Sequence, residues 1–327
     1  MVRTSKVITV TMNTAIDRLL NVPGFTVGGH LKADSVGDTP AGKGVNVSRT
    51  FAELGWASTT TGFVGQADNQ LYIDSLESFS SQVMGRVDCQ LVPVEGSTRR
   101  NLTILNPDDG TDTHLRLPGF QVKAKDIARL MQVLRETAGP DALVVFSGSR
   151  PAGMDMAALL ELIGTVEHTG ARIALDLNGP DLQAALTHLH YIWLISPNRQ
   201  EITQALGLNA DLPLEDLIRA ARELPNRVEH VLLSLGREGS VLVTPKQSIR
   251  GTTKVEPDRI VHTVGAGDSL LAGVIDGLLD ESNSPEKALS WGMGVVAYKL
   301  THSEPMDIDV VSPCCDGVTC EVIDHAQ

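Results

Sequence analysis

Apolar positions along the chain follow two periods, and the period changes with position. Val7-Ile8-Thr9-Val10-Thr11 reads as a strand. Residues 20–40 hold many Gly, Pro and Thr and no helical period, which suits short strands and turns. Val47, Phe51 and Leu54 have helical spacing, so a helix is predicted over 45–54 with Gly55 as its stop. A short strand follows at 59–64 and a helix at 71–79. Residues 101–105 and 114–117 flank Asn106-Pro107-Asp108-Asp109-Gly110, a hairpin signal. This hairpin and the 20–40 segment are expected to form one small sheet outside the main core. From Asp126 the alternation is regular, with helices at 127–137, 157–169, 181–189, 201–206 and 214–223. The strands between them, at 142–146, 172–176, 191–195 and 230–235, are nearly all apolar. That pattern predicts an α/β fold, with a mostly parallel sheet covered by helices on both faces. Ligands of such folds sit at the carboxyl ends of strands. Ser147-Gly148-Ser149, Asp176, Asn198 and Gly236 all fall there.

Composition narrows the classes without naming one. The chain has 327 residues, 42% hydrophobic and 20% charged, an ordinary globular mixture. Its net charge is −13 with no basic run, which argues against nucleic acid as a partner. No apolar stretch approaches the roughly 20 residues of a membrane span, and the N-terminal apolar run is too short for a signal peptide. The cytoplasm is therefore the default expectation. After Glu304 the periodicity fades and Pro, Asp and Cys increase, so residues 305–327 are expected to be a partly ordered tail. Cys314, Cys315 and Cys320 cluster there with His325 nearby, while Cys89 stands alone. Adjacent cysteines are not a common zinc spacing, and thiols on a loose tail are the expectation.

Thr263-Val264-Gly265-Ala266-Gly267-Asp268-Ser269 carries the chemistry. Leu270, Leu271, Val274, Ile275, Leu278 and Leu279 recur at helical spacing after it, so a helix begins near Asp268. The small residues before that helix leave backbone N–H groups bare, and the helix dipole adds positive charge. Such a turn can hold an anion whose charge grows during a reaction, and a carboxylate beside it can take a proton from a hydroxyl. Together they suggest phosphoryl transfer to an alcohol. The competing reading makes Asp268 a helix cap.

Further motifs occur in a fixed order. They are Asn13 to Arg18, Ala41-Gly42-Lys43-Gly44-Val45-Asn46-Val47-Ser48-Arg49, Thr98-Arg99-Arg100-Asn101 and Ser147 to Gly153. Asp176 to Gly179, Pro197 to Glu201, Ser234 to Gly239 and Thr263 to Ser269 complete the series. Over roughly residues 6–303 this resembles the ribokinase/PfkB sugar kinase family, in its 1-phosphofructokinase and tagatose-6-phosphate kinase branch. The resemblance implies a doubly wound, ribokinase-like kinase domain over 1–304, with a small β lid from about 18–40 and 98–118. It also implies ATP as donor, Mg²⁺, a sugar phosphate as acceptor, and homodimers made through the lid.

The resemblance assigns roles residue by residue. Asp268 matches the catalytic base, expected to stay ionised at neutral pH because it stands at a helix N-terminus. Gly265, Ala266 and Gly267 match the anion hole. Asp17 matches the residue that holds sugar hydroxyls, with Gly42 and Gly44 letting backbone approach the sugar and Asn46 supplying an amide. Lys43 and Arg99 are candidates for the phosphate already on the acceptor. Arg116 and Lys32, on predicted lid strands, could close over it, and Ser149 matches a position near it. Asn198 and Glu201 match an element that organises Mg²⁺ and nucleotide phosphates, with Glu201 toward the metal. The same spacing is also a helix capping box. Ser234, Gly236 and Gly239 match the loop beside ATP. Thr14, Ala41, Ser196, Thr301 and the Asp176-Leu177-Asn178-Gly179 segment depart from the branch pattern.

The implied reaction is phosphorylation of a ketohexose phosphate, first D-fructose 1-phosphate at O6 to give fructose 1,6-bisphosphate. Tagatose 6-phosphate and fructose 6-phosphate are the alternatives. A non-catalytic sugar-phosphate sensor is disfavoured by the intact Asp268 and Gly-Ala-Gly turn. A nucleoside kinase is disfavoured by the pairing of Lys43 with Arg99.

Overall fold

The computed structural model describes residues 5–224, 228–256, 259–261, 264–302 and 304–323. Its centre is β1 (Lys6–Thr11), whose Val7, Ile8 and Val10 are fully buried. The chain then leaves for β2 (Ala15–Asn21) and β3 (Asp34–Ala41) and returns through α1 (Lys43–Glu53) to β4 (Ala57–Gly65). After α2 (Asn69–Ser80) come β5 (Arg86–Val94), β6 (Arg99–Asn106) and β7 (Thr111–Arg116). The regular alternation follows: α3 (Ala124–Thr137), β8 (Ala142–Ser147), α4 (Met156–Glu167), β9 (Arg172–Asp176), α5 (Gly179–His188), β10 (Ile192–Ile195), α6 (Arg199–Leu206), α7 (Leu214–Arg222) and β11 (Val228–Ser234). The chain ends with β12 (Ser240–Val243), β13 (Ser248–Thr253), α8 (Ala266–Leu279), α9 (Pro285–Thr301), α10 (Ile308–Cys315) and β14 (Val318–Ile323).

The main sheet has ten strands in the order β14-β13-β12-β11-β10-β9-β8-β1-β4-β5. It is parallel from β11 through to β5, and the three strands beyond β11 are antiparallel. Alternation along the strands feeds two cores. Val144 and Phe146 of β8 pack on the side of α3 to α7, whereas Leu143 and Val145 pack with α1, α8 and α9. The strand order reverses between β1 and β8, so a crevice must open at their carboxyl ends.

A separate four-stranded sheet, β3-β2-β6-β7, stands over that crevice. Its roots are pinned by α2 and the turn before it. The buried Tyr72 hydroxyl lies between the carbonyls of Ala15 and Ala41, the latter at 2.8 Å. Asp68 accepts from the Thr98 N–H at 2.7 Å and pairs with Arg100 at 3.0 Å.

The loose C-terminal tail expected after residue 304 is not what the structure shows. Residues 308–323 form α10 and β14, and β14 pairs along six positions with β13. Val311 and Met306 are buried in the core beneath α9. Cys314, Cys315 and Cys320 pack against the same core as small apolar side chains, which is how a free thiol usually behaves. All four cysteines are unbonded, and the described residues hold no cluster of three His, Cys, Asp or Glu arranged for a metal. His325 lies outside the described residues.

Candidate active site

A cleft of about 520 Å³ opens at the carboxyl ends of β1, β8, β9 and β10, beneath the small sheet. It is lined by Asp17, Gly42, Lys43, Asn46, Arg99, Arg116, Ser149, Asn198, Glu201, Ser234 and the Gly265–Asp268 turn. The sequence had singled out each of these positions; Thr11, Asn13, Asn101 and Ser196 line the cleft beside them. A second cavity of about 450 Å³ adjoins it and shares Ser234, Ala266, Gly267 and Leu270. Val255, Ile260, Met293, Val296 and Leu300 make the second cavity a mostly apolar slot, with Gly236, Gly239 and the polar Arg237, Ser240 and Thr253 also on its walls.

Asp268 sits where the two cavities meet. The helix begins at Ala266, with Gly265 as N-cap in the left-handed region (φ 79°) and no side-chain cap. Asp268 is thus inside the first turn and does not cap the helix. Its Oδ2 accepts from the Asn46 amide at 2.8 Å. Its surroundings work against the expectation that it stays ionised. Burial foremost, then the nearby Asp176 carboxylate, push its pKa up to about 7, against the opposing pull of Asn46 and Lys43. Thr263, the first residue of the motif, lies outside the described residues.

Lys43 begins α1, and its ammonium donates to Asp176 Oδ1 at 2.9 Å. Burial alone would lower the Lys43 pKa, but Asp176, Glu201 and Asp268 together move it upward. Burial likewise raises Asp176 and Glu201 above the ordinary carboxylate range. Lys43 therefore belongs to a group with the three carboxylates Asp176, Glu201 and Asp268 in the cleft.

Arg99 and Arg116 form the opposite kind of group. Arg99 donates to the carbonyls of Asn13 and Thr14, at 3.1 and 3.3 Å. Burial, then the neighbouring Arg116 charge, lower its pKa. Among the described residues neither guanidinium forms an ion pair with a carboxylate, so both remain available to an anion. Asn13 donates weakly to Ser149 Oγ at 3.4 Å on the same wall. Lys32, expected on a lid strand, lies in the exposed segment between β2 and β3 and does not line the cleft.

Two glycines of the Gly42-Lys43-Gly44 run do different work. Gly42 has φ 139°, and a Cβ there would stand 2.6 Å from Thr11 Cγ2. Gly44 was expected to admit the sugar, but a Cβ there would meet Thr11 Oγ1 at 2.5 Å, so it serves close packing of α1 on β1. Asn198 and Glu201 form a reciprocal capping box at the start of α6, with bonds of 2.8 and 2.9 Å. Glu201 still faces the cleft. Ser196 also lines it, whereas Thr301 turns back to the Ala297 carbonyl at 2.8 Å and is not part of the apolar slot. Asn101 was not singled out as a site residue, although it ends the Thr98–Asn101 motif; it lines the cleft and bonds Asp17 at 2.7 Å.

A buried carboxylate beside helix-terminal N–H groups, a wall bearing two arginines and an adjoining apolar slot are the parts that phosphoryl transfer to an alcohol requires. Comparison with known proteins gives the family. The model of the pfkB family of carbohydrate kinases matches residues 6–308, and the chain belongs to that family. It is 33% identical over 309 residues to the 1-phosphofructokinase of Rhodobacter capsulatus, covering 92% of this chain and 94% of that protein. It is 30% identical over 299 residues to the 1-phosphofructokinase of Vibrio cholerae, covering 91% and 90%. Escherichia coli phosphofructokinase-2 in complex with substrates and products superposes with a TM-score of 0.85 at 25% identity, covering 95% of this chain and 98% of that one. The chain is thus a sugar kinase that transfers phosphate to a hydroxyl, with the ribokinase-like α/β fold. Sugar kinases of this family use ATP. None of the described helices is long and apolar enough to cross a membrane.

Proposed function

We propose that the chain is an ATP-dependent kinase of a ketohexose phosphate, with D-fructose 1-phosphate phosphorylated at O6 to fructose 1,6-bisphosphate. The observation that carries this is the pair of guanidiniums, Arg99 and Arg116, with no carboxylate partner among the described residues, in the same cleft as Asp268. Two like charges side by side, the half-buried Arg99 and the exposed Arg116, favour a dianion. The acceptor phosphate lies against them, and Ser149 lies close by. Asp17 accepts from the sugar hydroxyls and Asn46 adds an amide. The far hydroxyl reaches Asp268, which takes its proton as that oxygen attacks phosphorus. Backbone N–H groups of Gly265, Ala266 and Gly267 stabilise the charge that develops.

ATP, when bound, supplies the phosphoryl group; the apolar slot suits its base, beside Ser234, Gly236 and Gly239. With no cluster of three ligands among the described residues, a Mg²⁺ here fits as an ion held by one carboxylate, Glu201, with phosphate oxygens and water. Asn198 fixes Glu201 for that task, and Lys43 offsets the carboxylate charge around it. The exposed Leu19 and Leu115 of the small sheet, with Leu117 just after it, support a homodimer made through that sheet; the cytoplasm is the proposed compartment. A solved form of the Escherichia coli relative is a tetrameric inhibited one.

An ATP-coupled assay across fructose 1-phosphate, tagatose 6-phosphate, fructose 6-phosphate and unphosphorylated sugars tests the reading. The highest kcat/KM is expected for fructose 1-phosphate. Equal turnover of unphosphorylated fructose would remove the anion-binding role of the arginines.

A further inference from the structure

Asp17 and Asn101 are cross-strand partners: β2 and β6 run parallel, with Asp17 in register with Asn101. The Asn101 amide nitrogen donates to Asp17 Oδ1 at 2.7 Å. Asp17 Oδ2 has no hydrogen bond from the described residues, and both side chains line the cleft. The carbonyl oxygen of Asn101 is shut away from solvent and has no partner. A buried, unpaired carbonyl oxygen carries a cost, and asparagine is a poor strand former. A merely structural role in β6 would be served better by threonine or valine. The one bond that this side chain makes goes to Asp17.

We infer that Asn101 is a positioning residue for the acceptor: it holds one oxygen of Asp17 so that the other meets the sugar hydroxyls. The inference rests on the reading of this cleft as the acceptor site. A free carboxylate would rotate among several orientations and lose the two-point grip that brings the reacting oxygen to Asp268. Other groups around Asp17 supply charge without supplying that orientation. The charges are Arg99 on β6 and Arg49 on α1, with Arg116 on β7 next to Arg99; the Tyr72 phenol on α2 is neutral, its hydroxyl held by the carbonyls of Ala15 and Ala41.

The decisive variant is Asn101→Asp. At low pH two carboxyl groups this close share one proton, and the protonated one can still donate to Asp17. As pH rises the proton leaves, the two charges repel, and the grip on Asp17 reverses. The KM for fructose 1-phosphate, as a ratio to the parent at each pH, should be near one at about pH 5.5. It should climb about tenfold or more by about pH 9, with KM for ATP unchanged. Taking the ratio divides out the titration of Asp268. Asn101→Leu, checked by a thermal melt, should raise the acceptor KM at every pH. Asp17→Ala serves as the reference. A flat ratio for Asn101→Asp, or an unaltered acceptor KM for folded Asn101→Leu, overturns the inference while leaving the site reading intact if Asp17→Ala raises KM. If Asp17→Ala also leaves KM untouched, both fall.

Discussion

Replacing Asp268 by Asn should cost activity and gain stability, and the gain should depend on pH. The carboxylate is buried, and its pKa stands near 7 against an ordinary 3.8. At about 1.4 kcal/mol per unit, that gap corresponds to a penalty on the order of 4 kcal/mol for holding the ionised form in the folded protein. The sign follows from proton binding. The folded state keeps its proton up to about pH 7, whereas the unfolded chain loses it near pH 4, so stability falls across that window and is flat above it. An amide has no such penalty and can still accept from Asn46, which now bonds Asp268 at 2.8 Å.

Asp268→Asn should therefore melt higher than the parent near pH 8, by on the order of 5 °C, and at about the same temperature near pH 4. Its kcat should fall about 10²–10⁴-fold, the usual range for a lost general base. In the parent, kcat/KM for the acceptor should rise with pH through about 7, because only the ionised form can take the hydroxyl proton. Differential scanning calorimetry at both pH values and a coupled assay on the same preparation read both effects. A variant with activity within a few-fold of the parent would remove Asp268 from the base role. A variant less stable than the parent at pH 8 would show that burial does not penalise the carboxylate, and the reasoning on its pKa would fail.

Arg99→Ala and Arg116→Ala should each raise the acceptor KM about tenfold or more and leave the ATP KM unchanged; steady-state titration of both substrates shows the opposite split if these residues serve the nucleotide. Lys43→Met leaves Asp176 buried with no cation beside it, and should lower stability by about 1–3 kcal/mol, discounted because the lysine end is half open to water. It should also depress kcat more than it raises the acceptor KM, and an unchanged urea midpoint would refute the pairing. Truncation after Glu304 removes the buried Val311 and Met306 and the β14 ladder, so it should destabilise the fold by on the order of 5 kcal/mol. Among the described residues no cleft-lining residue lies beyond that point, so whatever protein stays folded should keep its kcat; a melt matching the full chain would return this segment to a dispensable tail.

The cleft was legible because its residues sit in short motifs whose order along the chain matches the order of strand ends around the crevice. Asp17, Lys43, Asn198 and Asp268 could each be placed after a predicted strand or at a helix start. What a linear reading could not supply was which of them face each other. Lys43 and Arg99 are both candidates for the acceptor phosphate by their resemblance to the family, and only the fold shows that Lys43 also faces Asp176. Asn101 passed as one residue of a hairpin, because its value depends on β6 pairing with β2 in register, which no hairpin signal encodes. The ionisation of Asp268 shows the same limit: its position on the helix is local, whereas the burial that pushes its pKa up to about 7 comes from elements distant in sequence that close around it. The C-terminal segment failed differently. Val318 and Cys320 alternate with Thr319 and Glu321, a strand period that becomes visible once cysteine is counted as a small apolar residue. Reading the three thiols first as possible metal ligands or loose groups hid the simplest role the structure gives them, which is to cover the core beside α9.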